Sequence, residues 1–242
     1  TRAVPDQDGW VVDGSKVFTS GANTADYVWL ACRTDAEAPV HGKAHSGISI
    51  LIASTSDPGF SWTPIPTVGG MSVTATYYSG VRVPSVDLVG PVHGGWQLIT
   101  AQLNHERIGL AALGGRAISL WEQAVALCRE NGSLDVPWVR AELARTHARL
   151  EAMRLLNWKM TAAVAAGDLT PADASATKVY GTETQLDTYR SLVQVVGVAG
   201  RLRAGSAGAA LHGELEQVSR QSVVNTFGGG VNEVLRDIVA TA

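Results

Sequence analysis

Residues 77–100, "YYSGVRVPSVDLVGPVHGGWQLIT", decide the fold, because a strand pattern ends within them and a helix pattern begins. Up to Pro84 the stretch is rich in aromatic and β-branched residues, which favour strands. After the glycine-containing segment 90–95, Trp96 opens a long segment in which apolar residues recur at helical spacing. The sequence therefore predicts strands before this segment and helices after it.

The upstream part contains several short apolar runs separated by turn residues. The segments "YVWLACRT" (27–34), "GISILIA" (47–53) and "FSWTPI" (60–65) each predict a strand. In "WVVDGSKVFTSG" (10–21) two apolar runs flank Asp13-Gly14, a dipeptide that accepts the positive φ values of a two-residue hairpin turn. We therefore expect a hairpin with its turn at Asp13-Gly14.

The downstream part is predicted to be entirely helical. The pattern indicates helices over residues 96–129, 137–166 and 171–196, followed by two shorter helices near 208–226 and 232–241. Prolines near the first turns and glycines near the ends fit the usual helix boundaries. Strands followed by helices indicate an α+β protein, in which the two kinds of element are segregated, and not a βαβ sheet.

Composition excludes several classes of function. The 242 residues are 45% hydrophobic and 17% charged with a net charge of −3, so no basic surface for nucleic acid is expected. Cys32 and Cys128 are far apart and the six histidines lack paired spacing, so we assign no disulfide and no metal. This cysteine usage predicts a reducing cytoplasm. No apolar run reaches the length of a membrane span, and the first residues do not resemble a signal peptide. The missing initial Met suggests the remainder of a longer chain.

Glycine clusters and one serine invite weaker interpretations. Three clusters, "LGGRA" (113–117), "GVAGRLRAG" (197–205) and "FGGGVNE" (227–233), could cradle phosphate. None of them follows a predicted strand and opens a helix, so a dinucleotide fingerprint is not indicated. Ser20 lacks the Gly-x-Ser-x-Gly context of a hydrolase nucleophile.

An acid on an apolar stripe is the most informative single feature. Glu106 shares one helical face with Leu103, Leu110 and Leu113. Burial of a carboxylate is costly unless it is paired or chemically used. The sequence leaves both explanations open, with a neighbouring Arg such as Arg107 or Arg116 as the ion partner in the first.

Four stretches taken in order resemble the acyl-CoA dehydrogenase family. They are "GWVVDGSKVFTSGA" (9–22), "VRVPSVDLVG" (81–90), "NHERIGLAALGGRA" (104–117) and "GGGVNEVLRDIVA" (228–240). The resemblance implies part of a middle β-domain, a partial barrel or sandwich over 1–92, and a C-terminal domain like a four-helix bundle over 93–242. It also implies an FAD enzyme that removes an α-proton and a β-hydride from an acyl-CoA thioester.

The resemblance assigns flavin contacts to the end of the first stretch. Phe18, Thr19 and Ser20 match a Trp-Ile-Thr triplet that packs an aromatic ring against the isoalloxazine and directs a hydroxyl at flavin N5. Phe and Ser preserve an apolar face and a donor. The alternative for these residues is an ordinary strand.

The resemblance also gives Glu106 a role. Family members keep the catalytic glutamate either in the tail, where this chain has Gly229, or just before the Arg of the helix, where it has Glu106. Glu106 is thus the predicted α-proton base. Asn104, His105 and Arg107 match positions that contact the CoA moiety, although a helix-face Arg is as often a structural ion pair.

The half-site that serves a neighbouring subunit's FAD departs from the family pattern. Arg129 retains the Arg of an Arg-x-x-Phe-Gly motif whose Phe is missing, and Glu130 adds an acid. Gln194 and Gly197 match a Gln-x-x-Gly-Gly-x-Gly loop in which Val198 replaces a glycine, where a side chain would crowd the pyrophosphate.

These departures predict a hetero-oligomer, an α2β2 assembly with a homologous subunit, like the actinobacterial enzymes acting on steroid side-chain CoA esters. Electron-transfer flavoprotein would be the acceptor, and an oxidase is not distinguished from a dehydrogenase. A non-catalytic subunit that completes a partner's flavin site is the alternative function.

Overall fold

The computed structural model describes residues 1–38, 43, 45–71, 73–112 and 114–242, and for 104, 105 and 107–112 it describes the backbone alone. It divides into two compact units, Thr1–Gln102 and Leu103–Ala242. The division falls inside a helix at 102/103. The predicted domain boundary at 92/93 stays a prediction.

The first unit is built on one mixed seven-stranded sheet. Its strands are β1 (Arg2–Asp6), β2 (Gly9–Ser20), β3 (Tyr27–Arg33), β4 (Ile48–Ser54), β5 (Phe60–Ile65), β6 (Val73–Pro84) and β7 (Leu88–Val89). The order is β5-β6-β2-β1-β3-β4-β7, so β5 and β7 form the edges and the described strands do not close into a barrel. Every pairing is antiparallel except that of β1 with β3. The predicted α+β organisation with a partial barrel or sandwich is confirmed.

The predicted hairpin at Asp13-Gly14 is wrong. β2 runs unbroken through both residues, and the chain turns earlier, at Gln7 and Asp8, between β1 and β2. Gly14 instead lies at a register shift between β2 and β6 and has a φ of 131°. Asp13 accepts a hydrogen bond from the Gly80 amide at 2.8 Å. Between the pairs Val12–Val81 and Gly14–Tyr78, β6 has one residue more than β2, so the bulge is on β6 and Gly14 pairs beside it.

The core of this unit lies on one face of the sheet. Its buried residues are Ala3, Val12, Val28, Leu30, Cys32, Leu51, Ala53, Tyr78, Val81 and Val83. Alternation along β3 places every second side chain in this core, and along β6 the alternation shifts by one residue between Tyr78 and Val81, where β6 is bulged. Burial raises the pKa of the Cys32 thiol to about 11, so this cysteine is held in its neutral form.

The second unit is helical. The helices are α1 (Gly95–Ala112), which begins in the first unit, α2 (Gly115–Glu130), α3 (Pro137–Ala166), α4 (Pro171–Val196), α5 (Glu214–Gln221) and α6 (Asn232–Ala240). The predicted single helix over 96–129 is therefore two helices, with Gly114 immediately before α2. The bounds predicted for α3 and α4 are confirmed. The segment predicted as a helix over 208–226 contains α5 between two 3-10 turns, Ala210–Gly213 and Ser222–Thr226.

Helix α4 is the centre of the helical unit. It packs against α2, α3, α5 and α6, and accordingly thirteen of its residues are buried. The surrounding core contains Leu120, Leu143, Leu150, Leu192 and Leu215. Its buried positions include many Thr and Ser residues, and some of their hydroxyls donate to carbonyls one turn earlier, as Ser175 does to Pro171 and Thr182 to Lys178.

Neither a membrane-spanning helix nor a metal-binding cluster is found among the described residues. No described helix is long and apolar enough to cross a membrane. Within the same ranges, no group of three His, Cys, Asp or Glu side chains is arranged to hold a metal ion.

Candidate functional site

A bulge near the end of β2 shapes the first part of the candidate site. Lys16 pairs with Thr76 and Thr19 pairs with Thr74, so β2 has one residue more than β6 between these pairs. Phe18, inside the bulge, has a φ of 62°. A bulky residue in the left-handed region is an outlier that costs free energy and is concentrated at functional sites. The bulge thus marks residues 17–18 as a place where local stability yields to another requirement.

The bulge leaves an aromatic ring and a hydroxyl on the surface. Phe18 is 56% exposed, and Ser20, the last residue of β2, is also exposed. Between them, the carbonyl of Thr19 accepts a hydrogen bond from the Thr74 hydroxyl at 2.7 Å, which fixes the backbone of β2 at this point. The three predicted flavin-contact residues therefore lie on a backbone held rigidly by β6.

Below the bulge, the interior face of the sheet favours neutral groups. Tyr78 donates a hydrogen bond to the Thr76 hydroxyl at 3.2 Å, and burial raises the pKa of Tyr78. Burial also lowers the pKa of Lys16, whose side chain points to the same interior. These polar groups on the interior face are therefore partly withdrawn from water.

Glu106 lies on α1, as predicted, and its side chain is exposed. This differs from the burial expected on an apolar stripe. Arg116, one of its two predicted ion partners, instead donates to Glu214 with 2.8 Å between Nε and Oε1. The other partner, Arg107, has a side chain outside the described part of the structure. The ion-pair explanation thus loses one of its two candidates.

Of the remaining predicted residues on this stretch, the structure describes the side chain of Leu103. Leu103 is half-buried. The side chains of the predicted CoA contacts Asn104, His105 and Arg107, and of Leu110, lie outside the described residues, as does Leu113 altogether. Their assignments stay predictions.

The residues predicted to contact a neighbour's adenosine and pyrophosphate lie at or near the surface of the helical unit. Arg129 and Glu130 are exposed at the end of α2, and Gln194 is exposed in the last turn of α4. Gly197 has a φ of 73° and ends α4, and a Cβ built on it would meet no atom within 4 Å. Backbone conformation, and not space, therefore requires this glycine. Val198 next to it is 76% exposed, so its side chain projects from the loop.

Sequence reasoning missed a fully buried cation, Lys178 on α4, which is 0% exposed. Its ammonium donates to the carbonyl of Gly230 at 2.8 Å and to Oδ1 of Asn232 at 2.7 Å. The sequence contains a signal for this burial. Lys178 is the sole Lys or Arg in residues 171–189, and it lies one helical turn before Thr182 and two turns before Gln185. Both of those residues are buried, so a helical projection would have placed the lysine inside.

Comparison with known proteins gives matches over almost the whole chain. Residues 1–80 match the acyl-CoA dehydrogenase middle domain, and residues 93–242 match the acyl-CoA dehydrogenase C-terminal domain. The chain is 46% identical to acyl-CoA dehydrogenase FadE26 of Mycobacterium tuberculosis, covering 99% of this chain and 62% of that protein. It is 44% identical to FadE29 of the same organism, covering 100% and 62%.

Solved structures agree with the sequence matches. A structure described as the Tcur3481-Tcur3483 steroid ACAD has a TM-score of 0.94 and 68% identity, over 100% of this chain and 62% of that one. The ChsE4-ChsE5 complex from Mycobacterium tuberculosis has a TM-score of 0.89 and 44% identity with the same coverage. The chain thus spans under two thirds of the length of these relatives. With family-specific matches to both of its parts, the chain belongs to the acyl-CoA dehydrogenase family.

Proposed function

We propose that this chain provides the catalytic part of an FAD-dependent dehydrogenase that oxidises the CoA thioester of a steroid side chain between its α and β carbons. Acyl-CoA dehydrogenases are FAD-dependent. The observation that carries the proposal is Phe18, a left-handed and exposed aromatic residue inside a bulge of β2. Residues with such a strained backbone are concentrated at functional sites, and an exposed aromatic ring offers an apolar surface to a planar ligand.

The residues at the end of β2 fit a flavin. The Phe18 ring offers an apolar surface, and the Ser20 hydroxyl is an exposed donor two residues away. FAD would supply the acceptor for the substrate's β-hydride. Ser20 would donate a hydrogen bond to the ring, and Thr19, tied to Thr74, would keep the strand from shifting.

Glu106 would act as the base that takes the α-proton. In the chain alone the carboxylate is exposed and hydrated, which suits a group that must meet a ligand. A thioester covering it would remove that water, and desolvation strengthens a carboxylate as a base. Gly229 leaves room in the tail, where other members of the family carry their base.

The heteromeric assembly is supported by the adenosine-side loop and by the comparisons. The exposed Val198 side chain occupies a loop whose backbone must approach pyrophosphate, and Glu130 adds a like charge near the same group. One compared structure is named as a complex of two different proteins and another carries two protein names. A homologous partner with intact loops, in an α2β2 assembly, would complete the flavin site, with electron-transfer flavoprotein as acceptor in the cytoplasm.

Glu106→Gln tests the catalytic assignment in the full-length protein produced with its partner. Turnover should fall by about a hundredfold or more, the contribution typical of a positioned base, while FAD content stays unchanged. Glu122→Gln is a matched control, because Glu122 is also an exposed helical glutamate, on α2. It should leave turnover unchanged.

The same experiment separates the second candidate function, a non-catalytic subunit that completes a partner's flavin site. The exposed Arg129 at the end of α2 favours that role, since it retains the Arg of a motif that contacts a neighbour's FAD. Wild-type turnover in Glu106→Gln would reject catalysis by this chain. Flavin absorbance per protein mass gives a second measurement: about one FAD per two chains supports the shared site, and one FAD per chain in a pure homo-oligomer contradicts it.

A further inference from the structure

The buried ammonium of Lys178 is not explained by the packing of α4. Burying an ammonium is expensive unless hydrogen bonds compensate it, so the partners of this group show what its burial achieves. Lys178 directs two of its donors across to the tail of the chain, to the Gly230 carbonyl and the Asn232 amide oxygen. Both acceptors lie more than fifty positions away in sequence. The lysine therefore ties α4 to the tail of the chain.

The segment that Lys178 holds is intrinsically loose. Gly228–Gly230 are three consecutive glycines between the 3-10 turn Ser222–Thr226 and α6. Gly229 and Gly230 have φ values of 68° and 107°, so their conformation is one that glycine adopts without steric cost. Glycine also loses more conformational entropy on ordering than any other residue, so a fixed shape here needs an external anchor.

The anchor extends beyond the lysine into a short network. Asn232, only 2% exposed, donates to the Thr182 hydroxyl at 3.2 Å and to Oε1 of Glu183 at 3.1 Å. Arg236 completes the network by donating to both oxygens of Glu183, at 2.7 and 2.8 Å. The first turn of α6 is thus tied to α4 at two levels, and the glycine segment ends at a rigid point.

We propose that Lys178 is a positioning residue that fixes the Gly228–Gly230 segment as one wall of the acyl site. The inference rests on the proposed function, in which Gly229 stands where other family members carry their base and so borders the acyl group. Because the glycines contribute no side chains, the shape of this wall is set by their backbone alone. Lys178 holds that backbone through the Gly230 carbonyl, and substrate binding depends on it without any contact between the lysine and the substrate.

Lys178→Met, in the full-length protein with its partner, removes the ammonium while filling a similar volume. Hydrogen exchange measured by mass spectrometry on a peptide covering residues 222–233 should become roughly ten- to hundredfold faster, as expected for loss of hydrogen bonds from a charged donor. KM for the acyl-CoA substrate should rise by a similar factor, whereas kcat should change by less than about threefold, because Glu106 is untouched.

Leu192→Ala is the matched control. Leu192 is on the same helix and 0% exposed, but it faces the core formed by the other helices. This variant should lower the unfolding temperature and leave both the exchange of residues 222–233 and KM unchanged. If Lys178→Met behaves in the same way, the lysine is merely structural and the proposal is overturned.

Asn232→Ala keeps the test decisive if Lys178→Met fails to assemble. It removes one acceptor of the lysine and the link to Glu183, but leaves the Gly230 contact, so both effects should have the same direction and be smaller. Unchanged exchange in this variant would overturn the proposal. The exchange measurement needs no turnover, so a protein in which Glu106→Gln is fully active would contradict the proposed function and leave the positioning of the segment separately measured.

Discussion

Replacing Phe18 separates the two features that the bulge of β2 combines, backbone strain and an exposed ring. The side chain is 56% exposed, so somewhat under half of its surface is buried. For a phenylalanine of roughly 200 Å² that is about 90 Å², whose loss costs about 2 kcal/mol at roughly 25 cal/mol per Å². Both Phe18→Ala and Phe18→Gly suffer this loss.

The two variants differ in the backbone. Alanine keeps the cost of the left-handed conformation at φ 62°, about 1 kcal/mol or more, whereas glycine adopts that conformation freely. Phe18→Gly should therefore be more stable than Phe18→Ala by about 1 kcal/mol, although glycine usually weakens a strand. The measurement is the free energy of unfolding from urea titrations of both full-length assemblies, with the denaturant slopes compared.

Flavin retention is the second half of the same experiment. Both variants lack the ring, so the dissociation constant for FAD should rise in both, whatever their difference in stability. The rise should be about tenfold or more, as expected for loss of an aromatic contact worth over about 1.4 kcal/mol. Val17→Ala is the matched control, because Val17 is the 58% exposed neighbour in the same bulge. Equal stability of the two Phe18 variants would refute the strain argument, and unchanged FAD binding would refute the contact with the flavin.

Two further substitutions test the donor and the acid stability of the helical unit. Ser20→Ala should slow reduction of the bound flavin by substrate and change the free energy of unfolding by only about 1 kcal/mol, the net value of a neutral hydrogen bond. Ser15→Ala, on the same strand, should leave both the reduction rate and the stability unchanged. An unchanged reduction rate for Ser20→Ala in stopped-flow measurements would make Ser20 an ordinary strand residue. The side-chain hydrogen bond from Arg220 lowers the pKa of Glu216, so this pair stabilises the fold above the carboxylate's ordinary value of 4.5 and that stability is lost as the pH falls. Glu216→Gln should accordingly be less stable than the wild type near neutral pH, with the difference shrinking below pH 4.5; a constant difference in urea titrations would contradict the linkage.

The elements that the sequence predicts well are those with strong local boundaries. Helices α3 and α4 each begin at a proline and end beside a glycine, Gly167 or Gly197, and their predicted and observed bounds agree. Strand β5 is delimited by Pro58-Gly59 before it and by Pro66 after it. In these cases the residues that end a helix or strand are its immediate neighbours in sequence, so its bounds do not depend on distant contacts.

The failures occur where a distant strand or helix decides. Asp13-Gly14 carries the local signal of a hairpin turn, but the pairing of β2 with β6, some seventy residues later, keeps both residues within a strand. The left-handed Phe18 has no local signal at all, since phenylalanine disfavours that region. The contact between Lys178 and Gly230 joins positions 52 residues apart, and no pattern in either segment specifies it.

The two flavin half-sites predicted in this chain are under different physical constraints, and this gives a reason for a second kind of subunit. The predicted β2 half-site contains one strained residue, the left-handed Phe18, in the bulge that pairs with β6, so the cost of that conformation is borne within this chain. The adenosine-side loop carries no comparable strain in a side-chain-bearing residue: Gly197 alone has a positive φ there, and Val198 projects to the surface. If the neighbouring subunit is a different protein, selection would retain the half-site that binds this chain's own flavin. It would not retain the half-site that serves the neighbour's flavin. The measurable consequence is directional: Val198→Gly should increase FAD binding by this chain as a homo-oligomer and leave FAD content in the complex with its partner unchanged.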